Sequence, residues 1–515
     1  MSKKLAALAG VASAALGLAL AEFIASLFSF FSSPFLAVGD RIIDNVPTFV
    51  KNLAISLFGM NDKVVLLLSI ASGLIVFAAL TGIAHSRNPM LGRALLALFA
   101  SAGVLSTVFQ RTGPDPTEAL PTLIGTSIVG VVLARLEYTL ANASGTPATT
   151  DPMMTARPSD RRRFLAASGL AIAGAGALAA GSRFITGQNS VAAARSALSL
   201  PTPTNTLAPI PGAASVDAAG AVPFLTPIRN NGFYRIDINT TIPQVPVDTW
   251  TLKISGMVER PLTLTYQDLL DREFVEADIT LTCVSNTVGG ELMGTARWLG
   301  TRLDDLLDEA GIDPAATQIV GRSVDGYTCG FPVSALDGRT ALLAVGMNGE
   351  PLPQRHGFPA RLIVPGLYGY VSATKWLAEI ELTTFEAFDQ YWVPRGYAAE
   401  APIKLQSRID TPKGLQRVPA GTVPIAGVAW AQTIGIDAVE VSIDEGPWQQ
   451  AEIAEQVTIE TWRQWLYNWN ATPGRHEIEV RAIDQKGAIQ TPDRSEPLPD
   501  GATGHHTIVV IIEES

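Results

Sequence analysis

Cysteine is nearly missing from this sequence: Cys283 and Cys329 are the only two in 515 residues. That scarcity excludes a disulfide-built extracellular scaffold, a four-cysteine zinc site and an iron–sulfur cluster ligated by this chain alone. There is no Cys-x-x-Cys-His motif, and His85 is the one histidine in the apolar front part, so two axial histidines for a haem are not on offer there. Charge is also scarce, with 17% Asp, Glu, Lys and Arg against 47% hydrophobic residues and a mean hydropathy of +0.24. So little charge is unusual for a purely soluble enzyme of three or four domains and places part of the chain in a bilayer.

The charge that is present is unevenly spread. Residues 1–187 carry 14 basic against 9 acidic side chains, and the remainder 23 against 39, within a formal net charge of −11. An acidic distal part argues against nucleic acid as a partner, because binding phosphate backbones needs a basic face.

Five stretches are long and apolar enough to be read as membrane spans: approximately residues 5–33, 64–84, 94–110, 119–138 and 164–185. With the N-terminus inside, the inner connections hold nine Lys and Arg and the outer ones four, as the positive-inside rule requires. Cleavage of the first stretch as a signal peptide would leave this orientation unchanged. The segment from Arg41 to Gly59 reads as an amphipathic stretch at the outer interface. Glu22 is the clearest carboxylate inside a span, and one such group offers no ion pathway for a transporter. The fifth span begins Ser159-Asp-Arg-Arg-Arg-Phe-Leu165 and resembles a twin-arginine export signal placed inside the chain, the route for domains that fold around a cofactor before export.

Beyond the spans the pattern changes. Residues 188–222 are rich in Pro, Thr and Ala and read as an extended tether between domains. Residues 223–388 mix short β-type runs (Trp250–Ser255, Ile279–Thr282, Arg361–Pro365) with a helical signal at Leu303–Ala310, an α+β pattern. Residues 400–515 show strand runs near Val423–Ala429, Ala438–Ile443, Glu477–Ile483 and Thr507–Ile512. The turn signals between them suggest an all-β, immunoglobulin-like sandwich.

Cys283 lies where a β run breaks into a polar, glycine-containing loop, Thr282-Cys-Val-Ser-Asn-Thr-Val-Gly-Gly290. On residue type alone two readings stay open: a thiolate displayed to a soft metal, or a small buried hydrophobe. The surrounding motifs bear on the choice. Trp250–Gly256, Leu262–Leu269, the Cys283 loop, Thr295-Ala-Arg-Trp298, Gly300–Leu307, Met347–Pro353, His356-Gly-Phe-Pro-Ala-Arg361, Val364-Pro-Gly366 and Lys375-Trp376 together resemble the molybdopterin-binding domain of the sulfite oxidase family. The tail from about Ile403 resembles that family's immunoglobulin-like dimerisation domain. The five-span front lies outside the resemblance.

The resemblance implies a molybdenum–molybdopterin cofactor with Cys283 as the thiolate ligand of molybdenum. It places Arg235, in the run Phe233-Tyr234-Arg235, close to the metal or the pterin, as a catalytic candidate along with Cys283. It assigns Asp325, His356, Arg361 and Ala373-Thr374-Lys375 to the pterin and its phosphate, a role that a guanidinium and an ammonium suit chemically. Cys329 has no assigned role. After the ligand cysteine, sulfite-oxidising members carry a Gly-Asn-Arg-Arg-type stretch, and here Ser285-Asn286-Thr287-Val288 stands in its place. Losing that guanidinium removes charge-assisted bonds worth about 1.5–3 kcal/mol each to a sulfite dianion.

The expectation is therefore a membrane-tethered, extracytoplasmic molybdoenzyme that performs two-electron oxygen-atom transfer on a small molecule other than sulfite. A two-electron centre needs a separate electron-transfer partner, a haem protein or a quinone-linked one, and the family likeness allows a homodimer. The alternative is an exported binding or scaffold protein that keeps the fold without the chemistry.

Overall fold

The computed structural model describes residues 2–28, 32–47, 50, 53–54, 57–58, 62–142, 158–188, 191–228 and 232–514. The chain forms two compact units. One comprises Met1–Ser190 with Ile238–Ile242, and the other Val191–Asp237 with Pro243–Ser515.

The first unit is helical: α1 (Lys3–Leu27), α2 (Pro34–Asn45), α3 (Asp62–Arg87), α4 (Pro89–Val108), α5 (Ala119–Asn142) and α6 (Pro158–Gln188). All but α2 are long and apolar enough to cross a membrane. The first apolar stretch does not run unbroken to residue 33. It stops at Leu27, and the chain restarts as α2 behind Ser33, whose hydroxyl accepts the Leu36 N–H, with Pro34 in the first turn. Part of the segment expected at the interface, Arg41–Gly59, lies outside the described residues, and its start is the end of α2. Small residues set how closely these helices approach. A Cβ on Gly10 would come within 2.1 Å of the Ala78 carbonyl oxygen, and one on Gly82 within 2.2 Å of that of Ala6. Such backbone contact is a membrane-helix packing device. At the start of α6, Arg161, Arg162 and Arg163 are exposed.

The second unit begins with a stretch that sequence alone reads as an extended, semi-rigid tether. Instead of hanging free, residues 191–227 lie along the folded unit. Val191 and Ala214 are buried, Arg195 donates to the Leu352 carbonyl at 2.8 Å, and Phe224 packs with Met293, Val428, Trp430 and Trp462. Proline keeps the segment extended, and its scattered apolar side chains (Ile210, Val222, Phe224, Leu225) give it a surface to bury.

Ten strands follow: β1 (Thr251–Gly256), β2 (Leu262–Thr265), β3 (Val275–Thr282), β4 (Met293–Arg302), β5 (Gln318–Ser323), β6 (Thr328–Pro332), β7 (Leu342–Met347), β8 (Glu350–Pro351), β9 (Arg361–Ile363) and β10 (Leu377–Thr383). They form two five-stranded sheets, one ordered β8-β7-β4-β3 with β9 also on β7, the other β2-β1-β10-β5-β6. The Leu-Leu-Ala-Val-Gly-Met run of β7 is buried at every position, as a central strand covered on both faces must be. The helix Leu303–Ala310 turns its leucines inward and carries Asp304 and Asp305 in its first turn, where they complement the helix dipole.

The C-terminal region is β-rich: β11 (Gln406–Thr411), β12 (Arg417–Pro419), β13 (Gly421–Trp430), β14 (Ile436–Ile443), β15 (Gln449–Gln450), β16 (Glu452–Ile453), β17 (Arg463–Ala471), β18 (Gly474–Asp484) and β19 (His506–Glu513). Sheets β11-β13-β17-β16 and β12-β19-β18-β14-β15 enclose one core built from Ile425 and Trp465 on one side and Val439, Val480 and Val510 on the other. It abuts the α+β region through buried polar contacts. The Trp462 N–H donates to Thr280 Oγ1 at 2.8 Å, and the Arg408 Nη1 donates to the Gly290 carbonyl at 2.8 Å.

Candidate cofactor and metal-ligand site

Strand ends deliver the chemistry-bearing side chains. Cys283 follows β3 directly, Arg361 opens β9, Lys375 precedes β10, His356 sits in the short turn Gln354–His356, and Phe233-Tyr234-Arg235 lies in an extended approach to β1. Gly357 is what lets the His356 turn approach the Lys375 backbone. It holds φ +110°, and a Cβ there would lie 3.0 Å from Lys375 Cα.

At one end are the cations. Arg361 is 5% exposed, and its Nη1 and Nη2 donate to the carbonyls of His356 (3.0 Å) and Ala373 (3.3 Å). Among the described residues no carboxylate pairs with it, and its Nε has no partner. Its charged face lies over the Trp298 ring, 5.2 Å from the centroid. Burial pulls its pKa down to about 10. His356 lies beside it, 2% exposed, with Nε2 unpartnered. Burial first, and then the charges of Arg361, Lys375, Arg355 and Arg235, push the imidazole down to about 3, so it is neutral at physiological pH. Lys375 Nζ reaches Asp237 Oδ2 at 3.0 Å, and Arg235 Nε reaches the same oxygen at 2.7 Å. Burial nevertheless draws Lys375 down to about 8. One carboxylate thus serves two cations, and a third cation waits behind them.

At the other end is Cys283, 7% exposed. Burial raises its thiol pKa, against hydrogen bonds from the Ser285 backbone and hydroxyl. As a free side chain it stays a thiol, and only a highly charged metal would hold it as thiolate. Four phenols are near enough for its charge to act on theirs: Tyr234, Tyr327, Tyr368 and Tyr397. Burial raises all four, Tyr368 to about 12, so each stays a protonated donor. Tyr327 donates to the Tyr370 carbonyl at 2.7 Å, and Tyr397 is hydrogen-bonded to Ser285. Tyr234 links the two ends. Its ring stacks on Phe233 at 5.4 Å, and its hydroxyl feels both Cys283 and Arg361. Tyr370, Tyr391 and Trp392 continue this lining, with ring contacts Tyr327–Tyr391, Tyr391–Trp392, Trp392–Tyr397 and Tyr397–Tyr370 at 5.1–5.6 Å.

Of the residues singled out in the sequence, the structure brings together Tyr234, Arg235, His356, Arg361, Ala373 and Lys375, with Phe233 as a buried wall edge-on to His356. Two side chains are turned to other work. Asp325 Oδ1 accepts the Tyr327 N–H at 2.9 Å in the β5–β6 turn, and Thr374 Oγ1 contacts Cys329 Sγ at 2.7 Å under β5. That contact gives the second cysteine a place as a fully buried thiol, whose pKa burial raises. Sequence reading missed Asp237, Ser285, Tyr327 and Tyr397. Asp237 alone carried a local signal: two residues after Arg235 in extended chain, it projects to the same side.

The arrangement buries unpaired guanidinium and imidazole nitrogens on one side and a thiol among phenols on the other, a combination that suits an anionic ligand beside a thiol. A family profile described as "Oxidoreductase molybdopterin binding domain" matches residues 239–392. The chain is 30% identical over 307 residues to "Sulfite oxidase, mitochondrial" of Homo sapiens, covering 50% of this chain and 56% of that protein. It is 33% identical over 148 residues to "Uncharacterized oxidoreductase YuiH" of Bacillus subtilis (strain 168), covering 29% of this chain and 72% of that one. A solved structure, "Crystal Structure of the Sulfane Dehydrogenase SoxCD from Paracoccus pantotrophus", aligns with a TM-score of 0.47 at 22% identity, over 54% of this chain and 81% of that chain. The chain spans about half the length of the sulfite oxidases it matches. It belongs to the sulfite oxidase family of molybdopterin-dependent oxidoreductases, and its cofactor is molybdenum–molybdopterin.

Proposed function

We propose that the chain is a membrane-tethered oxidoreductase whose catalytic domain works on the outer face of the cytoplasmic membrane, exchanging an oxygen atom with a small neutral oxide in a two-electron reaction. The observation that carries the reading is Arg361: a buried guanidinium without a carboxylate, flanked by the open Nε2 of His356. An uncompensated buried charge costs several kcal/mol, so the site is built for a ligand that arrives as an anion. The pterin phosphate suits it, with Arg361 and Lys375 as donors and His356 and the Ala373 backbone framing it. Arg235 and Asp237 hold Lys375 in line.

Cys283 is the metal ligand in this reading. Among the described residues no three His, Cys, Asp or Glu side chains gather around a point, so the protein offers one ligand and the pterin the others. When bound, the cofactor supplies two-electron oxygen-atom exchange at molybdenum. The chain's own residues orient and exclude. The phenols of Tyr234 and Tyr397 present donors to an oxide oxygen, and the aromatic wall keeps water from the approach. The Ser285–Val288 loop carries no guanidinium, and Asn286 Oδ1 is occupied by the Leu292 N–H at 2.8 Å. A neutral S-oxide or N-oxide fits such a lining better than a sulfite dianion does. The five apolar helices tether the chain, and the twin-arginine-like run at residues 159–165 would export the second unit folded. The C-terminal sandwich serves as an immunoglobulin-like, dimerisation-type domain, and a separate haem or quinone-linked protein carries electrons.

The test is protein made in a cofactor-competent host and assayed for molybdenum, pterin, and reduction of S-oxides and N-oxides alongside sulfite oxidation. About one molybdenum per chain with turnover of an oxide is expected. Metal-free, inactive protein would leave the scaffold alternative standing, and Cys283→Ser with full activity would overturn Cys283 as the metal ligand.

A further inference from the structure

The helical unit contains something an anchor does not need. An apolar cavity of about 560 Å³ opens among α1 to α5. Along α1 it runs from Gly10 to Ala21, a length of about 16 Å at 1.5 Å per residue. Cavities of this volume hold molecules of several tens of atoms. Phe35, Phe77 and Phe99 present rings to it, the last two stacked at 5.8 Å.

Hydroxyls distinguish this cavity from a simple packing fault. Serines and threonines in these helices generally turn back on their own backbone: Ser13 on the Ala9 carbonyl, Ser72 on Leu68, Ser106 on Ala102, Thr126 on Thr122, all at 2.7–2.8 Å. Thr81 and Thr122 do not. Both are 5% exposed, both hydroxyls lack a partner, and both residues line the cavity. Among the described residues the third unpartnered buried hydroxyl of these helices, Ser168, is not part of the lining. Leaving a buried hydroxyl unpaired is costly, and a saturated acyl chain would give neither a partner, whereas a ligand with one polar head would serve Thr122. Thr122 stands one turn after Glu118, whose carboxylate accepts the Ser32 N–H at 2.7 Å, while Glu22 accepts the Phe35 N–H at 2.8 Å. The end of the slot under Pro34 and Phe35 is therefore bounded by polar groups, and the rest is hydrocarbon-like.

We propose that this cavity binds a lipid-soluble quinone, its ring among Phe35, Phe99 and Thr122 with the Thr122 hydroxyl donating to a ring carbonyl, and its isoprenoid tail along α1 toward Thr81. The long slot matches a ring with an apolar tail, and the free donor matches a carbonyl. A two-electron carrier also suits a chain whose two cysteines cannot hold an iron–sulfur cluster. That last argument rests on the oxidoreductase reading above. The cavity and its hydroxyls do not, and binding can be measured on protein with or without molybdenum, so the two readings fail separately.

The experiment uses the full chain in detergent micelles with a photoreactive azido-quinone, mapping the label by peptide mass spectrometry. Labelling of α4 and α5 peptides is expected, competed by decylubiquinone and not by phosphatidylglycerol. Thr122→Val, nearly isosteric, should weaken binding about five-fold or more. Ala102→Trp, which fills the slot, should abolish it, and Ser69→Ala on exposed α3 surface should not change it. Equal competition by phospholipid, label scattered over lipid-facing side chains, or affinity unmoved by both Thr122→Val and Ala102→Trp in variants with native helical content would overturn the proposal.

Discussion

Arg361 and Arg408 are both almost fully buried, yet they belong to regions built on opposite terms. Arg408, in β11 of the sandwich, has its own carboxylate: Asp410 Oδ1 lies 2.7 Å from its Nε, and its Nη1 is closed off by the Gly290 carbonyl. Arg361, in the cofactor domain, has two carbonyls and no carboxylate. Around Arg408 the charge balance closes within the protein, which is what a structural arginine needs. Around Arg361 it does not. Arg235, Arg355 and Lys375 crowd the same neighbourhood, and Asp237 is shared by two of them. The difference separates a side chain whose charge the fold itself neutralises from one whose charge the fold leaves open, without reference to any relative.

Substitution should break the pair apart. The largest effect belongs to the far end of the pocket: Cys283→Ser should cut oxide turnover by more than about 100-fold, beyond the range seen when groups supporting a metal ligand are lost. Pterin content should persist, because the cation cluster is intact, and the check is turnover beside pterin quantification. Next come the two arginines, each replaced by methionine. Arg408→Met strands Asp410 and should cost about 3–5 kcal/mol in denaturant unfolding of the second unit's sandwich. Arg361→Met removes an uncompensated charge, so the cofactor-free protein should unfold no more easily than the parent while losing its pterin. If Arg361→Met destabilises as much as Arg408→Met, the arginine is structural and the comparison collapses.

Protons offer a gentler version of the same test. Lys375 and His356 both have pKa values lowered in the folded state, to about 8 and about 3. For each, the unfolded chain binds more protons between the folded and the unfolded pKa. Stability of the cofactor-free protein therefore rises with pH through about 3 to 6.5 on account of His356 and through about 8 to 10.5 on account of Lys375. Retention of an anion should run the other way in the upper window, weakening as Lys375 loses its proton. Lys375→Met should abolish the upper slope in pH-dependent melting and leave the lower one. An upper slope that survives would mean that Lys375 is not the group responsible.

Much of this was legible in the sequence, for reasons that are local. The apolar spans, the helix Leu303–Ala310 and the strand at Thr507–Ile512 follow from hydropathy and periodicity, which depend only on neighbours along the chain. The neighbourhood of His356 and Arg361 was legible because both sit in one compact motif, His356–Arg361. What stayed hidden is what the fold assembles from a distance. Tyr327 and Tyr397 meet around Cys283 from 44 and 114 positions away, and nothing beside either residue announces it. The proline-rich stretch was legible as extended chain but not as docked chain, since the surface that receives Phe224 includes Trp430 and Trp462, more than 200 residues on. The strand β17, Arg463–Ala471, pairs with β13 through its whole length, although its polar residues blunt the alternation that would have marked it.

The smallest effect is also the one that decides how far the cationic site extends. Asp325 was placed with the pterin by its motif, whereas the structure uses its Oδ1 to accept the Tyr327 N–H in the turn between β5 and β6. An asparagine keeps that oxygen and removes the charge. Asp325→Asn should therefore leave melting within about 0.5 kcal/mol and pterin content unchanged, and Asp325→Ala, which opens the turn, should cost about 1 kcal/mol. Should Asp325→Asn lower pterin occupancy at unchanged stability, the carboxylate is part of the cofactor's binding set. The pocket would then have an anionic wall beside its cationic end, in a place where Arg361 shows only the need for negative charge from the ligand.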